Sequence, residues 1–182
     1  KINSILEKQK KISIEINQKN IIKIESNRKD VLDYLNGQQK EFKHVFPFIE
    51  GSALIVNNNN KFKSDIRLKG DRRIHFEDRS NSSYRIDIKD NEVFNGMSKF
   101  SIQKPRIRNY LHEWIFHEML GEGGLVKLKY DFYDFYLNGK FLGYYNLEES
   151  FGKVLLERNK RRNGPIFSLF ESLEKFNLTI SQ

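Results

Sequence analysis

The dipeptide Asn138-Gly139 lies between two runs rich in aromatic and aliphatic side chains, residues 126–137 and 141–147. Both residues accept the positive φ of a two-residue turn, so this stretch is expected to fold as a tight β-hairpin. Alternation of apolar with polar positions, the mark of a strand with one buried face, recurs through the chain. It appears at Ile12, Ile14 and Ile16, at Tyr84, Ile86 and Ile88, and at Phe100 with Ile102. Residues 52–56 and 62–69 flank the turn Asn57-Asn58-Asn59-Asn60 and read as a second hairpin, with Phe62, Ile66 and Leu68 on one face. A polar loop covers 70–82, and a last strand is expected at 165–169.

Other segments repeat at helical spacing. Asn20 is placed to cap a helix carrying Ile21, Ile24, Val31, Leu32 and Leu35, with Gly37 ending it. Over 106–120 the series Ile107, Tyr110, Leu111, Trp114, Ile115 and Met119 precedes Gly121, Gly123 and Gly124. That phase turns Leu111, Trp114, Ile115 and Met119 toward the core and leaves Glu113 more exposed. A short helix is expected within 152–161. The fold class expected is α+β, a mostly antiparallel sheet with a few packed helices. Residues 1–182 form a single domain in this reading, with 1 to about 11 as an N-terminal extension.

Hydrophobic residues make up 38% of the 182 and include 15 Phe, enough to build a core. No stretch reaches the roughly 20 apolar residues of a membrane helix. From the lack of an initiating Met and the interrupted tail, the chain is expected to be a fragment of a longer protein, in a cytoplasmic or an exported, cell-surface location. With no Cys, disulfides and thiolate chemistry are excluded within these residues. A net charge of +8 suits an anionic partner, although a Lys- and Asn-rich compositional bias produces the same excess.

His112-Glu113 and His117 resemble a zinc-protease helix until the spacing is counted. At i, i+5 the imidazoles stand about 140° apart around a helix, so metal binding is not expected and both histidines read as exposed or interfacial. No phosphate-binding glycine motif and no nucleophile elbow occurs. Cations concentrate instead in Arg67-Leu68-Lys69-Gly70-Asp71-Arg72-Arg73 and in Lys104-Pro105-Arg106-Ile107-Arg108. Gly70 would allow close backbone approach and the second run sits by a helix start, an arrangement suited to a phosphate. In the alternative, these cations pair with Asp65, Glu77, Asp78 or Asp87 on a solvated surface.

Five local patterns follow one another in order: Asp65-Ile66-Arg67-Leu68-Lys69-Gly70, Ser83-Tyr84-Arg85-Ile86, Gly96-Met97-Ser98-Lys99-Phe100-Ser101-Ile102, Arg108-Asn109-Tyr110-Leu111 opening a helix, and Tyr136-Leu137-Asn138-Gly139-Lys140-Phe141-Leu142-Gly143-Tyr144-Tyr145-Asn146-Leu147-Glu148-Glu149. The set resembles the spore coat protein H (CotH) kinase family over residues 12–171. The resemblance implies an atypical protein-kinase-like fold that binds ATP and Mg and phosphorylates Ser on a protein substrate. It selects Lys69, Arg85 and Arg108 for phosphate or ion-pair roles. It also places Glu148 or Glu149, with Tyr144 or Tyr145, near the nucleotide. Asn81-Ser82-Ser83 stands where the family commonly has lysines, and the segment bearing the metal-binding and catalytic Asp residues is expected downstream of residue 182. Asp131 and Asp134 read as strand-edge charges. Two rival readings are a pseudokinase or protein-interaction module, and a nucleic-acid-binding domain using the run Arg158-Asn159-Lys160-Arg161-Arg162.

Overall fold

The Asn138-Gly139 turn lies where the sequence places it. In a computed structural model describing residues 10–37, 48–57, 60–70, 72–77, 82–162 and 164–165, β6 (Tyr130–Leu137) pairs antiparallel with β7 (Lys140–Glu149). Both turn residues have positive φ, 48° at Asn138 and 76° at Gly139, as a twisted two-residue hairpin requires. The Asn138 side chain also ties this tip to β1 (Lys11–Ile16). Its Oδ1 accepts from the Ile16 amide at 2.7 Å, and its Nδ2 donates to the Ile16 carbonyl at 2.9 Å. The Asn138 amide donates to the Ile14 carbonyl at 2.8 Å. Replacing Asn138 with alanine removes both side-chain bonds and is expected to cost about 1–3 kcal/mol in chemical denaturation. A change of a few tenths would show that the tie to β1 carries little.

That tie matters because β1 runs parallel to β6, from Lys11 opposite Asp134 to Ile14 opposite Leu137. The remaining pairings are antiparallel: β1 with β2 (Gly51–Asn57), β2 with β3 (Asn60–Leu68), β3 with β4 (Tyr84–Ile88), β4 with β5 (Lys99–Gln103), and β5 with β7. The sheet therefore closes into a seven-stranded barrel in the order β1-β2-β3-β4-β5-β7-β6. This corrects the expected fold class: the α+β, atypical protein-kinase-like architecture is replaced by a closed barrel with a few short helices. Closure pairs the first strand with one about 120 residues later and removes the open edges of the sheet. Local alternation carries no trace of such a pairing.

Ile12, Ile14, Ile55, Ile66, Leu68, Tyr84, Ile86, Phe100, Ile102, Phe135, Tyr145 and Leu147 are among the buried strand residues of the core. Helix α1 (Gln18–Leu35) is capped by Asn17, three residues before the expected Asn20, and packs Ile24 and Val31 against the core. The single helix expected over 106–120 is divided. A 3-10 turn over Pro105–Arg108 leads into Asn109 and Tyr110, both with positive φ, and α2 (His112–Glu122) follows. The interruption rotates the helix out of its expected phase. His117 is the buried residue, while Leu111, Trp114, Ile115 and Met119 are exposed. Helix α3 (Lys153–Arg158) lies within the expected 152–161. The strand expected at 165–169 falls outside the described residues beyond Pro165. Among the described residues no helix is long and apolar enough to cross a membrane.

Candidate functional site

Strand register brings one row of side chains across the outer wall of the barrel. Arg67 faces Arg85, Arg85 faces Ser101, Ser101 faces Glu148, and Glu148 faces Tyr130. Their sequence neighbours Ile66, Leu68, Tyr84, Ile86, Phe100, Ile102 and Leu147 point into the core, so this row points outward. Directly opposed side chains on one face stand about 5 Å apart, which makes the row a contiguous surface. A second outward pair, Gln103 opposite Asn146, lies beside it. The row would be solvated if nothing covered it. Instead Arg108 from the 3-10 turn, His117 from α2 and Lys69 beyond β3 close over Glu148.

Glu148 Oε2 is the shared acceptor. Lys69 Nζ lies at 3.3 Å, Gln103 Nε2 at 2.9 Å and Arg108 Nη2 at 3.4 Å. The Lys69 and Glu148 side chains are only 17% and 13% exposed, which separates this pair from the surface ion pairs around it. Burial by itself would push the Glu148 carboxyl up, but Lys69 and Arg108 together outweigh it and hold the group below its usual range. Lys69 is shifted down, by burial first and then by Arg108 and Arg85, against the raising effect of Glu148. Burial and Arg67 act in the same sense on Arg85. His117 is lowered by burial, and burial with the nearby Glu148 charge raises Tyr130. The imidazole and the phenol are therefore neutral at pH 7.

Several atoms of this cluster are buried and lack a hydrogen-bond partner among the described residues: Arg85 Nε, Arg108 Nε, Gln103 Oε1, the Tyr130 hydroxyl and both His117 ring nitrogens. Of these, the Arg85 and Arg108 Nε–H groups can only donate and Gln103 Oε1 can only accept; the two guanidinium donors, beside an excess of positive charge, favour an anion with acceptor oxygens.

The pH dependence follows from Glu148. Its folded pKa is depressed, so its contribution is fully present above the ordinary glutamate value of 4.5 and is lost as pH falls through the depressed value. Denaturation midpoints are expected to fall more steeply below pH 4.5 in the wild type than in Glu148→Gln. Parallel acid limbs would show that Glu148 is not held ionised by its neighbours.

Of the residues chosen from sequence, Lys69, Arg85, Arg108 and Glu148 come together. Glu149 does not join them, since it turns to the other side of β7, accepts from the Lys129 amide at 2.9 Å and pairs with Arg158. Tyr145 is also elsewhere. It is fully buried inside the barrel, its ring 4.7 Å from that of Phe135 with Lys104 Nζ above it, and offers no face to a base. Tyr144 is exposed. Gly70 makes room for the His75 ring rather than for a ligand, because a Cβ there would lie 2.2 Å from His75 Cγ.

The surface-pair alternative holds for Arg106, which pairs with Glu77 at 2.7 Å; Asp65 and Asp87 pair instead with Lys89 and, at 2.6 Å, Lys99, which lie outside the two cationic runs. Asp78 lies outside the described residues. In the basic run, Arg158 and Arg161 donate to the Lys127 and Gly124 carbonyls. His117 is buried rather than exposed or interfacial, and sequence reasoning did not select it, Gln103, Asn146 or Tyr130 for the site. The available signal was their place on the outward phase of each strand, which becomes informative only once the register is known.

The cluster does not fit a divalent cation, since a single carboxylate amid three cations is not an oxygen cage. Among the described residues no three His, Asp or Glu side chains gather to hold a metal. No protein family matches the sequence, and no curated protein does either.

Proposed function

We propose that the Glu148 cluster binds the phosphate groups of a nucleotide. In this reading the chain is the ATP-binding portion of a CotH-type protein kinase, completed by a downstream catalytic segment that phosphorylates Ser on a protein substrate. One observation carries the reading. Lys69, Arg85, Arg108 and Glu148, chosen from four separate motifs of the CotH resemblance, meet at one place with guanidinium N–H groups still unpaired. Two cations beyond the charge of Glu148, partly shielded from water, give a phosphate a stronger field than surface lysines would. Glu148 holds Lys69 and Arg108 in position and offsets their repulsion until the anion arrives. Mg accompanies ATP in this reading, with its ligands outside the described residues.

Calorimetric titration with ATP, ADP and AMP tests the proposal. Affinity is expected to rise with the number of phosphates. Lys69→Ala and Arg108→Ala should each weaken ATP binding about tenfold or more, the loss expected for a charged hydrogen bond of roughly 1.5–3 kcal/mol. Arg106→Ala, which breaks only a surface pair, should leave it unchanged. Equal binding of the three nucleotides, or equal losses in all three variants, would contradict the proposal. Phosphotransfer by these 182 residues alone would contradict the need for a downstream segment.

A further inference from the structure

His117 is the buried residue of α2, and both of its ring nitrogens lack a hydrogen-bond partner among the described residues. Burial alone does not leave a histidine in this state. His75 is buried to a similar degree, yet its Nδ1 lies 3.0 Å from Ser83 Oγ in a hydrogen bond. An unpaired buried nitrogen costs free energy, so the position of the ring calls for an explanation. That position is beside the Glu148 cluster. The His117 ring lies 5.9 Å from that of Tyr130, and Tyr130 stands directly opposite Glu148 across β6 and β7.

Building on the phosphate reading of the cluster, we propose that His117 is a further contact of the bound phosphate, taking up a proton from solvent as the anion enters and then donating N–H to it. Acids and bases surround the ring in equal number. Burial is the largest influence and lowers His117; Glu113 of α2, with Oε1 3.8 Å from Nε2, and Glu148 of β7 act against it, while Lys127 beyond α2 and Arg108 of the 3-10 turn add to it. Tyr130 of β6 is neutral. An incoming phosphate adds negative charge where water screens it poorly, which favours the imidazolium. The protonated ring also suits phosphate oxygens better. It offers two donors, whereas one nitrogen of the neutral ring can only accept.

Long-range proton–nitrogen NMR of the imidazoles in the full chain, through a pH series with and without saturating ATP, tests the proposal. The His117 signals are assigned by their loss in His117→Gln or by contact of the ring with Tyr130. ATP is expected to raise the His117 pKa by about one unit or more, equivalent by linkage to about tenfold tighter binding of ATP to the protonated form. Because the value is higher in the complex, ATP affinity should be greatest below the free-protein value and decline as pH rises through the value in the complex. That decline should flatten in His117→Gln, since ATP's own titration enters both profiles alike. A His117 pKa that stays in place while the Lys69 and Arg108 resonances shift with ATP would overturn the proposal and leave the phosphate site standing. Identical pH profiles in the wild type and His117→Gln would do the same. No ATP-dependent shift at Lys69, Arg108 or His117 would overturn the phosphate site and the proposal together.

Discussion

Replacing Glu148 with glutamine is expected to destabilise the fold by about 3–5 kcal/mol, the penalty of leaving buried charges without their partner. The substitution keeps the side-chain shape and a polar group for Gln103, so the loss comes from charge. Lys69 carries most of it, because its side chain is 17% exposed, whereas Arg108 at 37% is partly relieved by solvent. A second readout separates this from ordinary loss of packing. If the cluster is an anion site in which Glu148 is the resident counter-charge, inorganic phosphate should restore more stability to Glu148→Gln than it adds to the wild type. Guanidinium denaturation with and without phosphate would measure both effects. A loss below about 1 kcal/mol would mean the pair behaves as an ordinary surface ion pair.

Phe135→Ala is the second large effect expected, again about 3–5 kcal/mol, from the lost transfer free energy and the cavity left behind. Phe135 is fully buried on β6, its ring 4.7 Å from that of Tyr145 and 6.4 Å from that of Tyr84. Its strand is paired on both sides, with β1 and with β7. In an open sheet with β6 at an edge the same side chain would be partly solvated and its removal would cost less. The size of the loss in thermal or denaturant unfolding therefore reports on closure of the barrel. Phe135→Ala should leave nucleotide affinity unchanged wherever the protein remains folded, since Phe135 points into the core and the Glu148 cluster lies on the outer wall.

Strands were legible because period-two alternation and the Asn138-Gly139 turn act locally, and each expected strand from Ile12 to Leu147 has a counterpart in the structure. Barrel closure was not legible, because β1 meets β6 through backbone bonds and the Asn138 side chain, none of which leaves a compositional mark. The phase of α2 departs from the expected one for a specific reason. Apolar spacing from Ile107 to Met119 is continuous, but Asn109 and Tyr110 adopt left-handed backbone and break the helix between Arg108 and His112. The same break sets Arg108 beside Glu148. The cations of the site were legible as residues, selected by the family resemblance for phosphate or ion-pair roles. Gln103, Asn146 and Tyr130 were hidden, because an outward strand position ordinarily means solvent and here these three are buried, Tyr130 against the His117 ring of α2. Tyr145 was selected as a nucleotide contact by its place after the hairpin, yet strand phase sends it inward with Leu147.

Side-chain NMR of the arginine Nε–H and lysine Nζ resonances during an ATP titration tests the central claim most directly. The account predicts that Lys69, Arg85 and Arg108 shift together and saturate at one ATP per chain, while Arg106 and Lys99, held in surface pairs with Glu77 and Asp87, stay in place. Saturable shifts at Arg106, Lys99 or the run from Arg158 to Arg162, with the Glu148 cluster unmoved, would contradict it.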